Sequence, residues 1–203
     1  MNYAFAYRIG FHPWEDAAGD TPFVDRFSEL LDAEEQGRQP PFGPALDLGT
    51  GSGIWGVALA RRGWDVTGVD NVEHALRRAH KRVLGEGVRM RLVNGDVTNL
   101  TGSDVGTGYQ LLLDTGTFHG LRTADRLAMG REIDAAAASD ATLFLLVWPR
   151  RRRPLILGAD RDDVQAAFPN WTITDVVPSY FSLPAVLERI LRPDEQWYRL
   201  RRA

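Results

Sequence analysis

The segment Ala45–Gly56 reads "ALDLGTGSGIWG", a short apolar run that leads into a glycine-rich loop. Its last three glycines fit the spacing G-x-G-x-x-G, which lets a loop approach a pyrophosphate at a helix N-terminus. A further glycine, Gly49, precedes them, and Asp47 lies within the strand. A carboxylate close to the loop would repel a pyrophosphate but attract a cationic ligand. The segment therefore predicts a ligand-binding loop for either a dinucleotide or a positively charged compound.

Composition indicates a globular protein of one domain, since the chain has 203 residues, of which 44% are hydrophobic and 25% charged. A net charge of −3 gives no general attraction to nucleic acid. The absence of cysteine excludes disulfides, thiolate zinc sites and a cysteine nucleophile. The N-terminus lacks a basic flank followed by an apolar run, and the apolar run "TLFLLVW" is too short to span a bilayer. We therefore expect a cytoplasmic protein without membrane segments.

Short apolar strands alternate with helical patterns from Pro44 onward. The predicted strands are "PALDLG", "WDVTGVD", "VRMRLVNGD", "YQLLLDT" and "ATLFLLVW". The predicted helices cover residues 54–62, 72–84, 122–138 and 160–168, with a loop or short helix near 97–105. Such alternation predicts a doubly wound α/β fold with a parallel sheet. The final segments "WTITDVVPSYF" and "QWYRLRR" alternate as strands, so an antiparallel hairpin would complete a seven-stranded, mostly parallel sheet.

The stretch "GRQPPFGP" separates an N-terminal helical segment from the predicted sheet. The segment begins its helix after Thr21 and Pro22, which we interpret as the cap and first turn. Apolar residues then follow at helical spacing: Phe23, Phe27, Leu30 and Leu31. We predict a single domain over residues 1–203, divided into an N-terminal segment, 1–43, and a core, 44–203.

Acidic residues stand at the ends of three predicted strands: Asp47, Asp70 and Asp96. A parallel sheet binds ligands beyond the carboxyl ends of its strands. Asp70 could bind ribose hydroxyls under either interpretation of the loop, and Asp96 could accept a hydrogen bond from an exocyclic amine such as that of adenine. The three acids together indicate a ligand with a ribose, an adenine and a positively charged arm without phosphate.

These segments resemble the class I S-adenosylmethionine-dependent methyltransferases. The matching motifs are "LDLGTGSG", "VTGVD", "NGDV" and "LLLDTGTFHGL". The resemblance covers roughly Pro44 to Trp148, and the C-terminal tail looks like the closing antiparallel hairpin of that family. It implies a Rossmann-like fold with an N-terminal helical lid over residues 1–43. It also implies S-adenosylmethionine as cofactor and S-adenosylhomocysteine as product.

The resemblance implies a role for each matching position. Asp47 would lie near the amino group of the methionine arm. Along that arm would run the loop residues Gly49, Thr50, Gly51 and Gly53. Asp70 would hold the ribose hydroxyls, and the adenine would lie among Asn71, Asp96 and Val97. Asp114, at the end of the fourth strand, would lie near the sulfonium, where the acceptor arrives, and would take part in catalysis.

The loop "DTGTFHGL" would carry the acceptor side of the site, including Phe118 and His119. Histidine titrates near neutral pH, so His119 could take a proton from a phenol or thiol acceptor. Alternatively, it only shapes the loop or caps the next helix. Aromatic residues of the N-terminal segment could line a flat acceptor, or could simply pack against the core: Tyr7, Phe11 and Trp14.

The acceptor we expect is a small aromatic or heterocyclic molecule methylated on O, S or N, as in bacterial enzymes that act on thiopurines, quinones or heterocyclic phenols. The loop lacks the Asn/Asp-Pro-Pro-aromatic pattern of amino methyltransferases, and the Arg150–Arg153 run is interpreted as a solvated loop, so nucleic acid is not expected as acceptor. We see no acidic cluster for a metal near Asp114. Two alternatives stay open: a nicotinamide-dependent oxidoreductase and a non-catalytic S-adenosylmethionine-binding module.

Overall fold

A computed structural model describes residues 19–150, 157–180 and 194–203. Its seven strands form one mixed sheet in the order β3-β2-β1-β4-β5-β7-β6. The strands are β1 Gly43–Leu48, β2 Trp64–Asp70, β3 Met90–Asn94, β4 Tyr109–Asp114, β5 Ala137–Val147, β6 Trp171–Pro178 and β7 Gln196–Arg202. The helices are α1 Thr21–Glu35, α2 Ile54–Arg62, α3 Glu73–Glu86, α4 Thr123–Ala136 and α5 Arg161–Ala167, with a 3-10 turn at Phe118–Gly120.

The strand directions confirm the predicted doubly wound sheet. Strands β1 to β5 pair in parallel. Strand β7 is antiparallel to both of its neighbours: its first residue, Gln196, pairs with the last residue of β5, Val147, and with the last residue of β6, Pro178. Strand order reverses between β1 and β4, and in such sheets the crevice beyond this point binds ligands. The sheet therefore places the ends of β1 and β4 at the centre of the candidate site.

The predicted elements are present, with shifted boundaries in several places. Helix α4 ends at Ala136, two residues before the predicted end, and β5 begins at Ala137 rather than Ala141. The alanine-rich sequence around this boundary shows no regular spacing of apolar residues. The pairing of Ala137 with Tyr109 of β4 therefore decides where the strand begins. Residues 97–105 form turns rather than a helix. The cap of α1 is Asp20, so Thr21 is its first helical residue and not its cap.

Each face of the sheet carries one apolar core. Helix α1 packs Phe23 and Phe27 against Trp55 of α2 and Trp197 of β7, with ring centroids 5.1–5.7 Å apart. The opposite core includes Ile133 of α4 and residues from the strands and α5. Helix α1 is therefore part of the packing of the sheet. In the described ranges no helix has the length and apolar character needed to cross a membrane.

Candidate functional site

The loop after β1 depends on glycine at three positions. Gly49, Gly51 and Gly53 have φ angles of 67°, 56° and 79°, the left-handed region that glycine enters without steric cost. A Cβ on Gly49 would lie 2.0 Å from the side-chain hydroxyl of Thr117. The loops after β1 and β4 are therefore in direct contact. Thr50 fixes the loop to the sheet by donating its backbone N–H to the Val69 carbonyl at 2.9 Å.

Asp47 supplies a buried carboxylate beneath this loop. Its exposed fraction is 1%. Its Oδ2 accepts a hydrogen bond of 2.5 Å from the Thr50 hydroxyl, whereas its Oδ1 is buried without a hydrogen-bond partner among the described residues. The pKa of Asp47 is raised to about 7, chiefly by burial; the Thr50 hydrogen bond opposes the rise, and the negative charges of Asp114 and Asp70 add to it. A cation beside Oδ1 would remove this electrostatic penalty.

Asp70, at the end of β2, is buried and fixes two backbone segments. Its Oδ2 accepts from the Gly51 N–H and its Oδ1 from the Val72 N–H, both at 2.8 Å. Burial raises its pKa, and these hydrogen bonds oppose the rise. Each carboxylate oxygen has a second lone pair. Asp70 can therefore hold the glycine loop and also accept from ribose hydroxyls.

The three residues predicted to surround the adenine lie beyond β2 and β3. Asn71 and Asp96 are exposed, and the side chain of Val97 is buried in the core. Asp96 Oδ1 accepts from the backbone N–H of Thr98 at 2.8 Å and from its hydroxyl at 2.7 Å. Asp96 therefore caps its own turn, and its other oxygen is available to a ligand amine.

Asp114 shapes the loop after β4 with both of its oxygens. Oδ1 accepts from the backbone N–H groups of Gly116 and Thr117 at 2.7 and 2.6 Å, and Oδ2 accepts from Phe118 at 2.8 Å. The side chain is fully buried, and burial raises its pKa to about 6 against these three hydrogen bonds. These three bonds make Asp114 a positioning residue for the 3-10 turn, and its predicted part in catalysis stays a prediction.

His119 is buried in the turn that Asp114 holds. Its Nδ1 lies 3.3 Å from the Leu146 carbonyl, so the Nδ1–H tautomer donates there and leaves Nε2 as an acceptor. The pKa of His119 is lowered to about 4, chiefly by burial; the positive charge of Arg126 adds to the shift, and the hydrogen bond to Leu146 opposes it. The imidazole is therefore neutral near pH 7, and its weak basicity disfavours the role of proton acceptor.

Phe118 is the other predicted substrate residue within the described ranges. The Phe118 ring is fully buried in the core, 5.6 Å from the Phe168 ring, so it does not face an acceptor. Three predicted wall residues lie outside the described residues: Tyr7, Phe11 and Trp14. The first residue of the arginine run, Arg150, pairs with Asp160 at 2.9 Å and also with Asp163, and the rest of the run lies outside the described ranges.

Sequence reasoning missed Arg126, which contacts the turn from its other side. Its exposed fraction is 4%. Its Nε donates to the Phe118 carbonyl at 3.1 Å, and its Nη2 to the His119 carbonyl at 3.0 Å. The available signal was its spacing, because Arg126 shares the buried stripe of α4 with Met129 and Ile133.

The residues present fit a cationic adenosine compound. The unpartnered Oδ1 of Asp47 suits an ammonium group, and a Cβ in the left-handed glycine loop would be strained. In the described part of the chain no group of three or more His, Asp or Glu residues could hold a metal ion.

Comparison with known proteins agrees with this fit. Residues 45–139 match the methyltransferase domain family. A curated relative, the ribosomal RNA small subunit methyltransferase C of Alcanivorax borkumensis, is 35% identical over 68 residues. That match covers 34% of this chain and spans only 21% of the relative's length.

Three solved structures share the fold at low sequence identity. The 1,6-didemethyltoxoflavin-N1-methyltransferase of Burkholderia thailandensis, bound to S-adenosylhomocysteine, has a TM-score of 0.73 and 21% identity, and the match covers 100% of this chain and 86% of that one. The N-methyltransferase NodS of Bradyrhizobium japonicum has a TM-score of 0.71, 14% identity and coverages of 97% and 91%. The magnesium protoporphyrin IX methyltransferase of Synechocystis has a TM-score of 0.67, 18% identity and coverages of 100% and 85%.

Proposed function

We propose that this protein methylates a small acceptor. The proposal starts from the match of residues 45–139 to the methyltransferase domain family and from the class I S-adenosylmethionine-dependent methyltransferase fold of the chain. The observation that carries the proposal is Asp47, a carboxylate with an exposed fraction of 1% and no partner for Oδ1 among the described residues. An ammonium group satisfies that oxygen, whereas a pyrophosphate would be repelled. This disfavours the nicotinamide-dependent alternative.

In this proposal the described residues divide the cofactor among them. When bound, S-adenosylmethionine supplies an electrophilic methyl group on a sulfonium. Asp47 neutralises the ammonium group, and the glycine loop passes along the methionine arm. Asp70 accepts from the ribose hydroxyls. The adenine side is formed by Asn71, Asp96 and Val97.

The acceptor side is built around the 3-10 turn. Asp114 holds the backbone N–H groups of the turn, which places the neutral His119 ring beside Leu146. We propose that His119 orients the acceptor by accepting a hydrogen bond at Nε2. The base hypothesis predicts an inflection of the rate near pH 6.5, whereas a pKa of about 4 places the titration well below that.

We propose a small aromatic or heterocyclic acceptor, methylated on O, S or N. Support comes from two enzymes of similar structure, the methyltransferases of 1,6-didemethyltoxoflavin and of magnesium protoporphyrin IX. The Alcanivorax relative is named for ribosomal RNA, which makes RNA the second acceptor to test.

The test begins with calorimetry on the full chain. We expect S-adenosylmethionine and S-adenosylhomocysteine to bind and reduced nicotinamide cofactors not to bind. Asp70→Ala should weaken binding by about tenfold or more, since it removes charge-assisted hydrogen bonds of about 1.5–3 kcal/mol each. Asp65→Ala is the matched control, because Asp65 is an exposed acid at the other end of β2. Unchanged affinity in a folded Asp70→Ala variant contradicts the assignment.

Mass spectrometry then identifies the acceptor. The protein and S-adenosylmethionine are incubated with phenols, quinones, thiols, heterocyclic amines and, separately, ribosomal RNA. A gain of one methyl on a small molecule supports the proposal. Methylation of RNA alone overturns the acceptor class, and cofactor binding without any transfer favours the non-catalytic alternative.

A further inference from the structure

Arg126 makes four polar contacts in a buried position at the start of α4. Its guanidinium donates to the carbonyls of Phe118 at 3.1 Å, His119 at 3.0 Å and Gly158 at 2.5 Å. Its Nη1 lies 3.0 Å from Asp163 Oδ2, and both side chains are at least 93% buried. Burial lowers the pKa of Arg126, and the negative charge of Asp163 opposes this effect. A charge this well buried requires such a partner.

The contacts of Arg126 complement those of Asp114. Asp114 accepts from the N–H groups at the beginning of the turn, and Arg126 donates to carbonyls within it. The turn is therefore held between an anion at its N–H side and a cation at its carbonyl side. This arrangement fits the direction of the peptide dipoles.

We infer that Arg126 is a positioning residue for the acceptor side of the site: it fixes the backbone of the 118–120 turn and thereby the place of His119. This inference rests on the proposed methyltransferase function. The contact to the Gly158 carbonyl extends the role, because Gly158 follows β5 whereas the turn follows β4. Arg126 thus fixes the loops after two neighbouring strands relative to each other.

The role requires the planar fork of arginine. Three carbonyls and one carboxylate surround the guanidinium, whereas a lysine ammonium is a compact charge on a flexible stem that cannot match this geometry. Arg126→Lys therefore keeps the charge beside Asp163 and loses the fixed backbone contacts. The Arg126→Lys variant therefore distinguishes a role in fixing the backbone from a role in neutralising the charge of Asp163.

The test compares Arg126→Lys and Arg126→Met with the control Arg122→Lys. Arg122 lies one turn earlier, its side chain is 82% exposed, and it pairs only with Asp125 among the contacts described for it. Thermal unfolding identifies the variants that are folded. Imidazole NMR then follows the titration of His119, which is assigned with His119→Asn. Calorimetry with S-adenosylhomocysteine and steady-state kinetics with an acceptor from the panel complete the comparison.

We expect the His119 titration midpoint to move from about 4 toward its ordinary value of 6.5 in Arg126→Lys, as the turn loosens and the ring gains water. We expect kcat to fall by about 10²-fold, since small misplacements of reacting groups have effects of that size, while affinity for S-adenosylhomocysteine stays near that of the wild type. Arg122→Lys should change neither.

Two results would overturn the inference. One is a folded Arg126→Lys variant with wild-type His119 titration and wild-type kcat. The other is a loss of thermal stability alone in both Arg126 variants, which would make the residue merely structural. Failure of the wild type to bind S-adenosylhomocysteine contradicts the proposed function itself, and the NMR result distinguishes the two failures because it needs no cofactor.

Discussion

Asp47 shows how one residue can be unfavourable in the free protein and useful with a ligand. Burial raises its pKa from 3.8 to about 7, because its charge is removed from water without a cationic partner in the described residues. Asp70 and Asp114 are buried as well, but backbone N–H groups satisfy their oxygens. Among the three acids, Asp47 alone keeps an oxygen free of hydrogen bonds in the described structure. A charged ligand therefore has its largest electrostatic effect there.

This shift predicts that the stability of the ligand-free protein and its affinity for a cationic ligand change in opposite directions with pH. A carboxyl whose pKa is raised on folding contributes stability that is complete below about pH 4 and is lost as the pH rises through about 7. A cationic ligand needs the ionised form, so its affinity should fall by up to about tenfold per pH unit below that value. We expect the increase in Tm caused by S-adenosylhomocysteine to grow between pH 5.5 and pH 8.

The control for this prediction is Asp47→Asn, which has no charge to titrate. It should bind S-adenosylhomocysteine weakly, and its ligand-free Tm should lose less between pH 5 and pH 8 than that of the wild type. A wild-type Tm increase that does not depend on pH would contradict the role of Asp47.

At the scale of elements, the site depends on the contact between two loops. The loop after β1 meets the loop after β4 where Gly49 faces Thr117. Thr117 is itself held by the Asp114 carboxylate through its N–H, and its hydroxyl lies 3.4 Å from the Leu48 carbonyl. The glycine therefore serves two needs at once, a left-handed backbone and space for a neighbouring side chain.

Gly49→Ala should weaken both folding and ligand binding. A left-handed φ costs alanine about 1–2 kcal/mol, and the added Cβ would lie 2.0 Å from the Thr117 hydroxyl, which must move. Gly87→Ala is a matched control, because Gly87 has a φ of 64° with nothing within 4 Å of an added Cβ.

Urea unfolding and calorimetry give the measurement. Gly87→Ala should lose only the stability that a left-handed backbone costs alanine, and it should bind S-adenosylhomocysteine as the wild type does. Gly49→Ala should lose more stability and at least about tenfold in affinity, the equivalent of about 1.4 kcal/mol. Equal losses in the two variants would show that the contact with Thr117 has no effect.

Across the whole molecule, Glu34 connects the N-terminal helix to the far end of the chain. Its Oε2 lies 2.6 Å from Arg199 of β7, and its Oε1 accepts from the Thr142 hydroxyl of β5 at 2.9 Å. Together with the aromatic contacts of Phe23 and Phe27, these bonds make α1 part of the sheet's packing. Within the predicted lid over residues 1–43, α1 packs against the sheet, and residues 1–18 lie outside the described ranges, so the lid stays a prediction.

Glu34→Gln should lower the free energy of unfolding by about 1–3 kcal/mol, because it removes a charged acceptor from a buried position. The lower part of that range is expected, since Arg199 is partly exposed and water replaces some of the lost interaction. Glu29→Gln is the control on the same helix: Glu29 is exposed, and its i,i+3 pair with the partly buried Arg26 should contribute about 0.5 kcal/mol or less. Urea unfolding that gives similar losses for both would contradict a connecting role for Glu34.

The sequence by itself determined the α/β class, the order of the elements and the glycine-and-acid pattern of the loop. Apolar period and turn residues are local signals, so α2 and β2 begin and end where the sequence predicts. The sequence also predicted the acids that end β2 and β4, Asp70 and Asp114, whereas Asp96 lies two residues beyond the end of β3 at Asn94. It could do so because strand ends follow from the same local pattern.

Only the tertiary structure decided what those acids and their neighbours contact. In the structure the Phe118 ring lies in the core, and both oxygens of Asp114 accept hydrogen bonds from the backbone of its own loop. Arg126 is buried among carbonyl groups. The tertiary structure also placed β7 between β5 and β6. These outcomes depend on partners far apart in the chain, such as Arg126 with Gly158, 32 residues away, and Glu34 with Arg199, 165 residues away. Such pairings arise only when the packed sheet brings these groups together, and no local pattern encodes them.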